Sequence, residues 1–343
     1  MKNAITYLTR HCPRNCKYCS IRDSKGVGTE LDSTQWIKAF SILKEIGVTF
    51  NLILGNEPWL LGDKLIPVFK SNSVPYAMYT TCPTHLFERY RQTLLVEGVI
   101  DNLSCGVDYP NAFSSEQPDD TMLKSQDAWD AFVWTKANCP NVDVQGTITI
   151  HRQNLPYLHT IVSQLTSLNI FAGINMVHWN RDGKYDFFPE EEVMKEYLFT
   201  SNEFDVLVNV FKSLLEDKGN LLIYNPEYLQ AIIKNPEMIQ MRWHCQGDPY
   251  GGPTIDSDGR LRVCGYRKGR YTPKLTIFDL PKRLDDWKEA VYKDTMECPG
   301  CSWVCPWIYH FWQETDPQMG EKVFTSHAGE YIPKEKWSKR KTK

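Results

Sequence analysis

No stretch of this sequence approaches the roughly 20 unbroken apolar residues that a helical bilayer span needs, so a membrane-spanning protein is not expected. An excess of one charge is also missing. Thirty-nine Lys and Arg against 42 Asp and Glu leave a net charge of −3, too little for general attraction to nucleic acid or anionic membranes. The segment before Cys12 has no apolar h-region and is interrupted by Arg10 and His11, which argues against a secretory leader. Internal repeats and low-complexity tracts are absent. These absences predict a soluble cytoplasmic protein, and its 42% apolar content is enough to bury a sizeable core.

Cysteine, by contrast, is plentiful. Thiols stay reduced in that compartment, so eleven of them call for a reason other than disulfides. Cys12, Cys16 and Cys19 fall within eight residues, and Cys245, Cys264, Cys298, Cys301 and Cys305 form a second group. Only Cys82, Cys105 and Cys139 stand alone. Two thiol groups in a reducing environment read as metal or iron–sulfur sites.

Between the groups, short apolar β-branched runs alternate with helix-period segments. Strands are expected at 3–9, 48–55, 76–81, 100–107, 142–150 and 170–178. A helix capped by Asp32 or Ser33 should bury Trp36, Ile37, Phe40, Leu43 and Ile46 and end at Gly47. Further helices are expected over 84–97, near 127–138 and near 157–168, with a long one near 190–217. This alternation predicts a parallel α/β unit whose functional groups gather at the carboxyl ends of its strands. The rhythm changes near residue 220, and TIDSDGRLRV reads as a hairpin turning at Asp258 and Gly259. The expected division is 1–218 for the α/β unit, 219–315 for a smaller cysteine-bearing domain, and 316–343 for a basic tail. The last ten residues contain six Lys or Arg. A basic run alone gives nucleic-acid contact only weak support.

The segment CPRNCKYC has C-x3-C-x2-C spacing. Three thiolates on a short loop can ligate three irons of a cubane and leave the fourth open, as a catalytic zinc keeps an open position. An open iron can chelate a molecule carrying both an amine and a carboxylate. The alternative is a zinc site with His11 as fourth ligand, which demands awkward backbone geometry between adjacent residues.

This segment resembles the signature of the radical S-adenosylmethionine superfamily, including Tyr18 just before the last cysteine. The resemblance implies a partial (β/α)6 TIM-like barrel, a 4Fe-4S cluster on Cys12, Cys16 and Cys19, and Tyr18 against the cofactor's adenine. GNEP, at Gly55, Asn56, Glu57 and Pro58, resembles the family's Gly-Gly-Glu-Pro turn. By resemblance, its backbone and Glu57 receive the amino group of S-adenosylmethionine. Asn56 departs from the pattern, although Asn tolerates left-handed backbone better than most residues. LSCGVD resembles the family's Ser-x-Asp strand, which brings Ser104 and Asp108 toward cofactor or substrate. Cys105 would then point outward as an apolar filler. The implied chemistry is reductive cleavage of S-adenosylmethionine to a 5′-deoxyadenosyl radical that abstracts hydrogen, with an electron donor such as flavodoxin or ferredoxin.

Cys245, with Gly259 between it and Cys264, resembles the opening of the SPASM domain and its shorter relative, the twitch domain. Five cysteines complete one auxiliary 4Fe-4S cluster with one thiol to spare, and Cys305 is the expected spare. A zinc ribbon on the same thiols is the alternative. The aromatic group Trp303, Trp307, Tyr309, Phe311 and Trp312 is expected to shield that cluster. Cys82, His151 and His178 are catalytic candidates on the active rim, with Asn154, Trp179 and Arg181 beside them. The expected substrate is a small molecule undergoing oxidation or modification. A ribosomal peptide, or a nucleoside or nucleic acid, is the enzymatic alternative, and an iron–sulfur electron carrier or zinc-binding scaffold is the non-enzymatic one.

Overall fold

The computed structural model describes residues 3–19, 29–72, 74–116, 118–180, 185–222, 225–245, 249, 251–301, 303–304, 306–307 and 310. Six parallel strands are laid down in chain order: β1 (Asn3–Tyr7), β2 (Phe50–Leu54), β3 (Tyr76–Thr80), β4 (Asn102–Gly106), β5 (Asp143–Ile150) and β6 (Phe171–Met176). Between them run α1 (Ser33–Glu45), α2 (Leu65–Ser71), α3 (Thr84–Arg91), α4 (Asp120–Asn138) and α5 (Leu158–Ser167). This is the parallel α/β alternation expected from the pattern and the partial (β/α)6 barrel that the resemblance implies. The strands are shorter than expected because their outer residues turn into the rim loops.

Local rules explain most helix ends. Asp32 accepts from the Gln35 amide at 2.8 Å while the Gln35 side chain accepts from the Asp32 amide at 2.9 Å. The apolar face of α1 buries Trp36, Ala39, Phe40, Ile42 and Leu43, and each large side chain stabilises by roughly 1.5–3 kcal/mol relative to exposure.

Three expectations need correction. Helix α2 and the 3-10 turn Pro58–Lys64 before it fill a connection that carried no predicted helix. Helix α4 begins at Asp120 rather than near 127, because Asp119 accepts from the Thr121 and Met122 amides at 2.9 and 3.0 Å. The long helix near 190–217 is broken into α6 (Glu191–Met194) and α7 (Phe204–Glu216). A capping box at Thr200 and Glu203 restarts the chain, and Tyr197 turns inward to 2% exposure.

Helix α8 (Asn225–Lys234) follows. The hairpin of β7 (Thr254–Ile255) and β8 (Leu261–Arg262) turns through Asp258 and Gly259 as expected, and α9 (Leu280–Met296) follows it. The hairpin does not stand apart from the barrel sheet. Strand β7 pairs in parallel with β1, giving the order β6-β5-β4-β3-β2-β1-β7-β8. Gly252 makes this approach possible, since a Cβ there would lie 1.6 Å from the Asn3 carbonyl oxygen. Asp256 secures the junction by accepting from Arg10 Nε and Arg262 Nε, each at 2.6 Å. Among the described residues, no helix is long and apolar enough to cross a membrane.

Candidate active site

The cysteine loop leaves β1 at its carboxyl end and is held from below by the turn after β2. The Asn56 amide donates to the Thr9 carbonyl at 3.5 Å, and the Glu57 amide donates to the His11 carbonyl at 2.9 Å. Asn56 Nδ2 donates to the Arg10 carbonyl. Gly55 carries φ +126°, and a Cβ there would lie 3.1 Å from the Thr9 carbonyl oxygen. Gly55 therefore takes the unusual backbone of the turn. Asn56 is not among the positive-φ residues, so tolerance of left-handed backbone does not explain it.

Glu57 is fully buried and all of its acceptor capacity is used. Oε1 accepts from the Trp59 amide at 3.0 Å and Thr80 Oγ1 at 2.7 Å. Oε2 accepts from the Thr81 amide at 2.7 Å and Thr81 Oγ1 at 2.6 Å. Burial raises the carboxyl pKa, and these hydrogen bonds oppose the rise. Glu57 thus ties the turn after β2 to the end of β3. Pro58 begins the 3-10 turn that follows.

The three thiols sense one another. Burial pushes the Cys16 thiol up to about 12. Lys124 opposes that rise, and Cys19, Asp108 and Cys12 add to it. The Arg14 amide donates to Cys12 Sγ at 3.4 Å, the kind of bond that stabilises a ligating sulfur. His11, the alternative zinc ligand, is 58% exposed with Nε2 3.8 Å from Glu30.

Beneath Cys16 lies a buried polar group that only tertiary structure assembles. Tyr18 donates to Asp108 Oδ2, and Lys124 Nζ reaches Asp108 Oδ2 at 2.5 Å and the Tyr18 hydroxyl at 2.6 Å. Asp108 Oδ1 accepts from the Thr149 amide at 2.7 Å, and the Asp108 amide donates to Ser125 Oγ at 2.9 Å. Burial by itself would lower the Lys124 pKa, but the Asp108 carboxylate overrides it and the net shift is upward. Burial, then Asp108, raises the Tyr18 phenol well above its usual value. Ser104 lies on β4 with Oγ 3.5 Å from Thr147 Oγ1, whereas Asp108 follows the end of that strand rather than sharing it. Lys124 carried no expectation from the sequence. The signal available was its place among Thr121, Ser125, Ala128 and Phe132 on the buried face of α4.

His151 is fully buried between Tyr18 and Tyr197, with ring centroids 5.1 Å from each. Among the described residues neither ring nitrogen has a hydrogen-bond partner, and burial lowers its pKa to about 4. Asn154 stands at the N-cap of the 3-10 turn Leu155–Tyr157, but its side chain makes no capping bond. Its Oδ1 accepts from the His151 amide at 2.9 Å and its Nδ2 donates to the Thr149 carbonyl at 2.9 Å. The unfolded chain protonates His151 near pH 6.5 and the folded chain only near 4, so this residue's stability contribution is lost as pH falls through that window. Urea unfolding should show roughly 2 kcal/mol less stability at pH 5 than at pH 7.5 from this residue. The His151→Phe variant should lack that part of the difference, and an identical pH dependence in both proteins would refute the assignment.

In the C-terminal region, Cys245, Cys264, Cys298 and Cys301 line one pocket with Tyr185, Tyr266 and Trp303. The Cys301 amide donates to the Trp243 carbonyl at 2.7 Å, and His244 Nδ1 lies 3.1 Å from the Cys298 carbonyl oxygen, bringing the two segments together. Burial, then Cys298, pushes the Cys264 thiol up to about 11. The Tyr266 amide donates to Cys264 Sγ at 3.5 Å. Among the described residues, no three His, Cys, Asp or Glu side chains converge on a single-ion site. The thiols surround the pocket rather than one point. Cys305 lies outside the described residues, as do Arg181, Tyr309, Phe311, Trp312 and the basic tail.

His178 links this pocket to the rim. Its ring stacks on Phe188 (5.3 Å, 4° between planes) and lies 5.2 Å from Tyr266, which contacts Trp303 at 4.4 Å. Cys82 is fully buried with φ +49°, packed in the core where burial and Cys105 raise its thiol pKa, so it does not face the rim. Trp307 packs on Tyr228. A cavity of about 510 Å³ opens at the end of β6, lined by Val177, Trp179, Leu198, Phe199, Phe204 and Arg242. Val177 and Leu198 also pack with Cys16 and Tyr18, so the cavity adjoins the cysteine loop.

No protein-family model matches the chain, and no curated protein matches it. Solved structures do. The hexahistidine-tagged anSMEcpe with bound AdoMet superposes with TM-score 0.56 at 14% identity, covering 100% of this chain and 99% of that one. Native anSMEcpe with AdoMet and the Cp18Cys peptide gives 0.54 at 14% identity, covering 94% and 98%. SuiB of Streptococcus suis bound to its precursor peptide SuiA gives 0.59 at 13% identity, covering 89% and 70%. The chain therefore has the fold of radical S-adenosylmethionine enzymes with a SPASM-like C-terminal region.

Proposed function

We propose that this protein is a radical S-adenosylmethionine enzyme that removes hydrogen from a peptide substrate, using one auxiliary cluster. The observation that carries this reading is the loop of Cys12, Cys16 and Cys19, hydrogen-bonded through residues 9–11 to the GNEP turn on the carboxyl rim of a parallel barrel. These residues fit the cofactors. Cys12, Cys16 and Cys19 would hold a 4Fe-4S cluster with one open iron, with Tyr18, Gly55, Asn56, Glu57, Ser104 and Asp108 around the cofactor. Cys245, Cys264, Cys298 and Cys301 would hold the auxiliary cluster, with Cys305 as the spare thiol. When bound and reduced, S-adenosylmethionine supplies the radical that abstracts hydrogen, and the electron comes from a flavodoxin- or ferredoxin-type donor.

The chain's own contribution is to exclude water and fix position. Val177, Leu198 and Tyr197 wall the cysteine loop from solvent, and the adjoining cavity admits the substrate. A peptide is favoured over the expected small molecule because anSMEcpe and SuiB were both solved with peptides. A separate peptide-recognition domain is not required for that reading, since this chain covers 98% of peptide-bound anSMEcpe.

Anaerobic reconstitution should give about eight irons per chain, two cubanes, and Cys305→Ala should keep them. Cys264→Ala should fall to about four. About twelve irons, or zinc in place of the second set, would overturn the single-auxiliary-cluster reading.

A further inference from the structure

We propose that the side-chain carbonyl of Asn56, rather than the carboxylate of Glu57, accepts from the ammonium group of the bound S-adenosylmethionine. This rests on the cofactor reading above and assigns its amine contact to a different atom of the turn.

The argument begins with capacity. An ionised carboxylate offers about four lone-pair positions. Four donors from Trp59, Thr80 and Thr81 occupy them in Glu57, at 2.6–3.0 Å. Each of those donors belongs to the protein, so a ligand amine would have to displace one inside a fully buried site. Glu57 serves as the strut that shapes the turn.

Asn56 is the reverse case. The residue is 6% exposed. Its Nδ2 donates to the Arg10 carbonyl, which fixes the amide orientation, because a flipped amide would set oxygen against oxygen. Oδ1 is then a buried acceptor with no donor among the described residues. An unsatisfied buried acceptor is costly, and a ligand carrying only donors, such as an ammonium, relieves that cost. Backbone conformation gives no competing reason for Asn here, since Gly55 takes the positive φ of the turn and Asn56 does not. The bond to Arg10 also fastens the amide to the residue two positions before Cys12, at the root of the cysteine loop.

The test compares two unreactive thioethers on the reconstituted full chain. S-adenosylhomocysteine carries the ammonium, and its deamino analogue keeps the adenosine, sulfur and carboxylate but lacks it. Wild-type protein should bind the first more tightly. Asn56→Ala should weaken S-adenosylhomocysteine roughly tenfold to a hundredfold, the loss of one charge-assisted hydrogen bond, and leave the deamino analogue nearly unchanged. Glu57→Gln sets an amide N–H2 against two of those four donors, so it should weaken both ligands together and leave the ratio of their affinities near the wild-type value. Equal losses for both ligands in Asn56→Ala would make Asn56 a strut of the loop and overturn the proposal, as would no loss for either. A ratio that collapses in Glu57→Gln but survives in Asn56→Ala would return the ammonium to Glu57. Wild-type protein that binds neither thioether would instead refute the cofactor reading, and this assignment with it.

Discussion

Protein carrying Cys12→Ala, Cys16→Ala and Cys19→Ala is expected to form no detectable 5′-deoxyadenosine from S-adenosylmethionine and reductant, where reconstituted wild type forms it even without substrate. The effect should be complete because the three thiols are the whole protein ligand set of the proposed open-iron cluster. They also share one neighbourhood, in which Cys19 and Cys12 both act on the Cys16 thiol. The same variant should retain about four irons, because Cys245, Cys264, Cys298 and Cys301 form a separate pocket. The retained iron shows that the fold survives the three substitutions. Undiminished 5′-deoxyadenosine in this variant would sink the assignment of the N-terminal loop.

The second large effect concerns stability. Lys124→Met should destabilise the fold by roughly 3–5 kcal/mol, the usual cost of breaking a buried ion pair by removing one partner. Asp108 is fully buried and Lys124 is 7% exposed, so water cannot replace the lost ammonium. Asp108 would keep its bonds from Tyr18 and the Thr149 amide but would hold an uncompensated charge. Adding Asp108→Leu should recover part of the loss, because a pair removed together leaves no orphan charge. A deficit below about 1 kcal/mol for Lys124→Met at pH 7.5 would mean that Lys124 and Asp108 are not coupled as the structure places them.

Where a signal was local, the sequence carried it. The capping pair Asp32 and Gln35 and the face of Trp36, Phe40 and Leu43 follow from spacing within one helix. The Asp258–Gly259 turn follows from two residues. Some local signals went unread. The Thr200–Glu203 capping box breaks the helix expected over 190–217, and Asp119 caps α4 one full turn before Lys124. A helix beginning near 127 excludes Lys124, whose place on the buried face follows only from the cap at Asp119. Asn154 illustrates the opposite failure. It is a good N-cap residue by type, but its side chain is taken up by the backbone at His151 and Thr149.

The sequence alone determined the alternation of strands and helices, the rim on which the cysteine loop and the GNEP turn lie, and the two groups into which the thiols divide. All of these follow from spacing along the chain, which fixes strand direction, helix period and ligand order. Tertiary structure decided which atoms within those motifs are still free to act. Glu57 spends its carboxylate on Thr80 and Thr81, 23 and 24 residues away, while Asn56 keeps an acceptor unpaired among the described residues. Asp108 finds Tyr18 90 residues away, and Arg10 finds Asp256 across 246. Such pairings depend on burial and on contacts between distant segments, because a buried polar atom must be satisfied by whatever donor or acceptor the fold brings beside it.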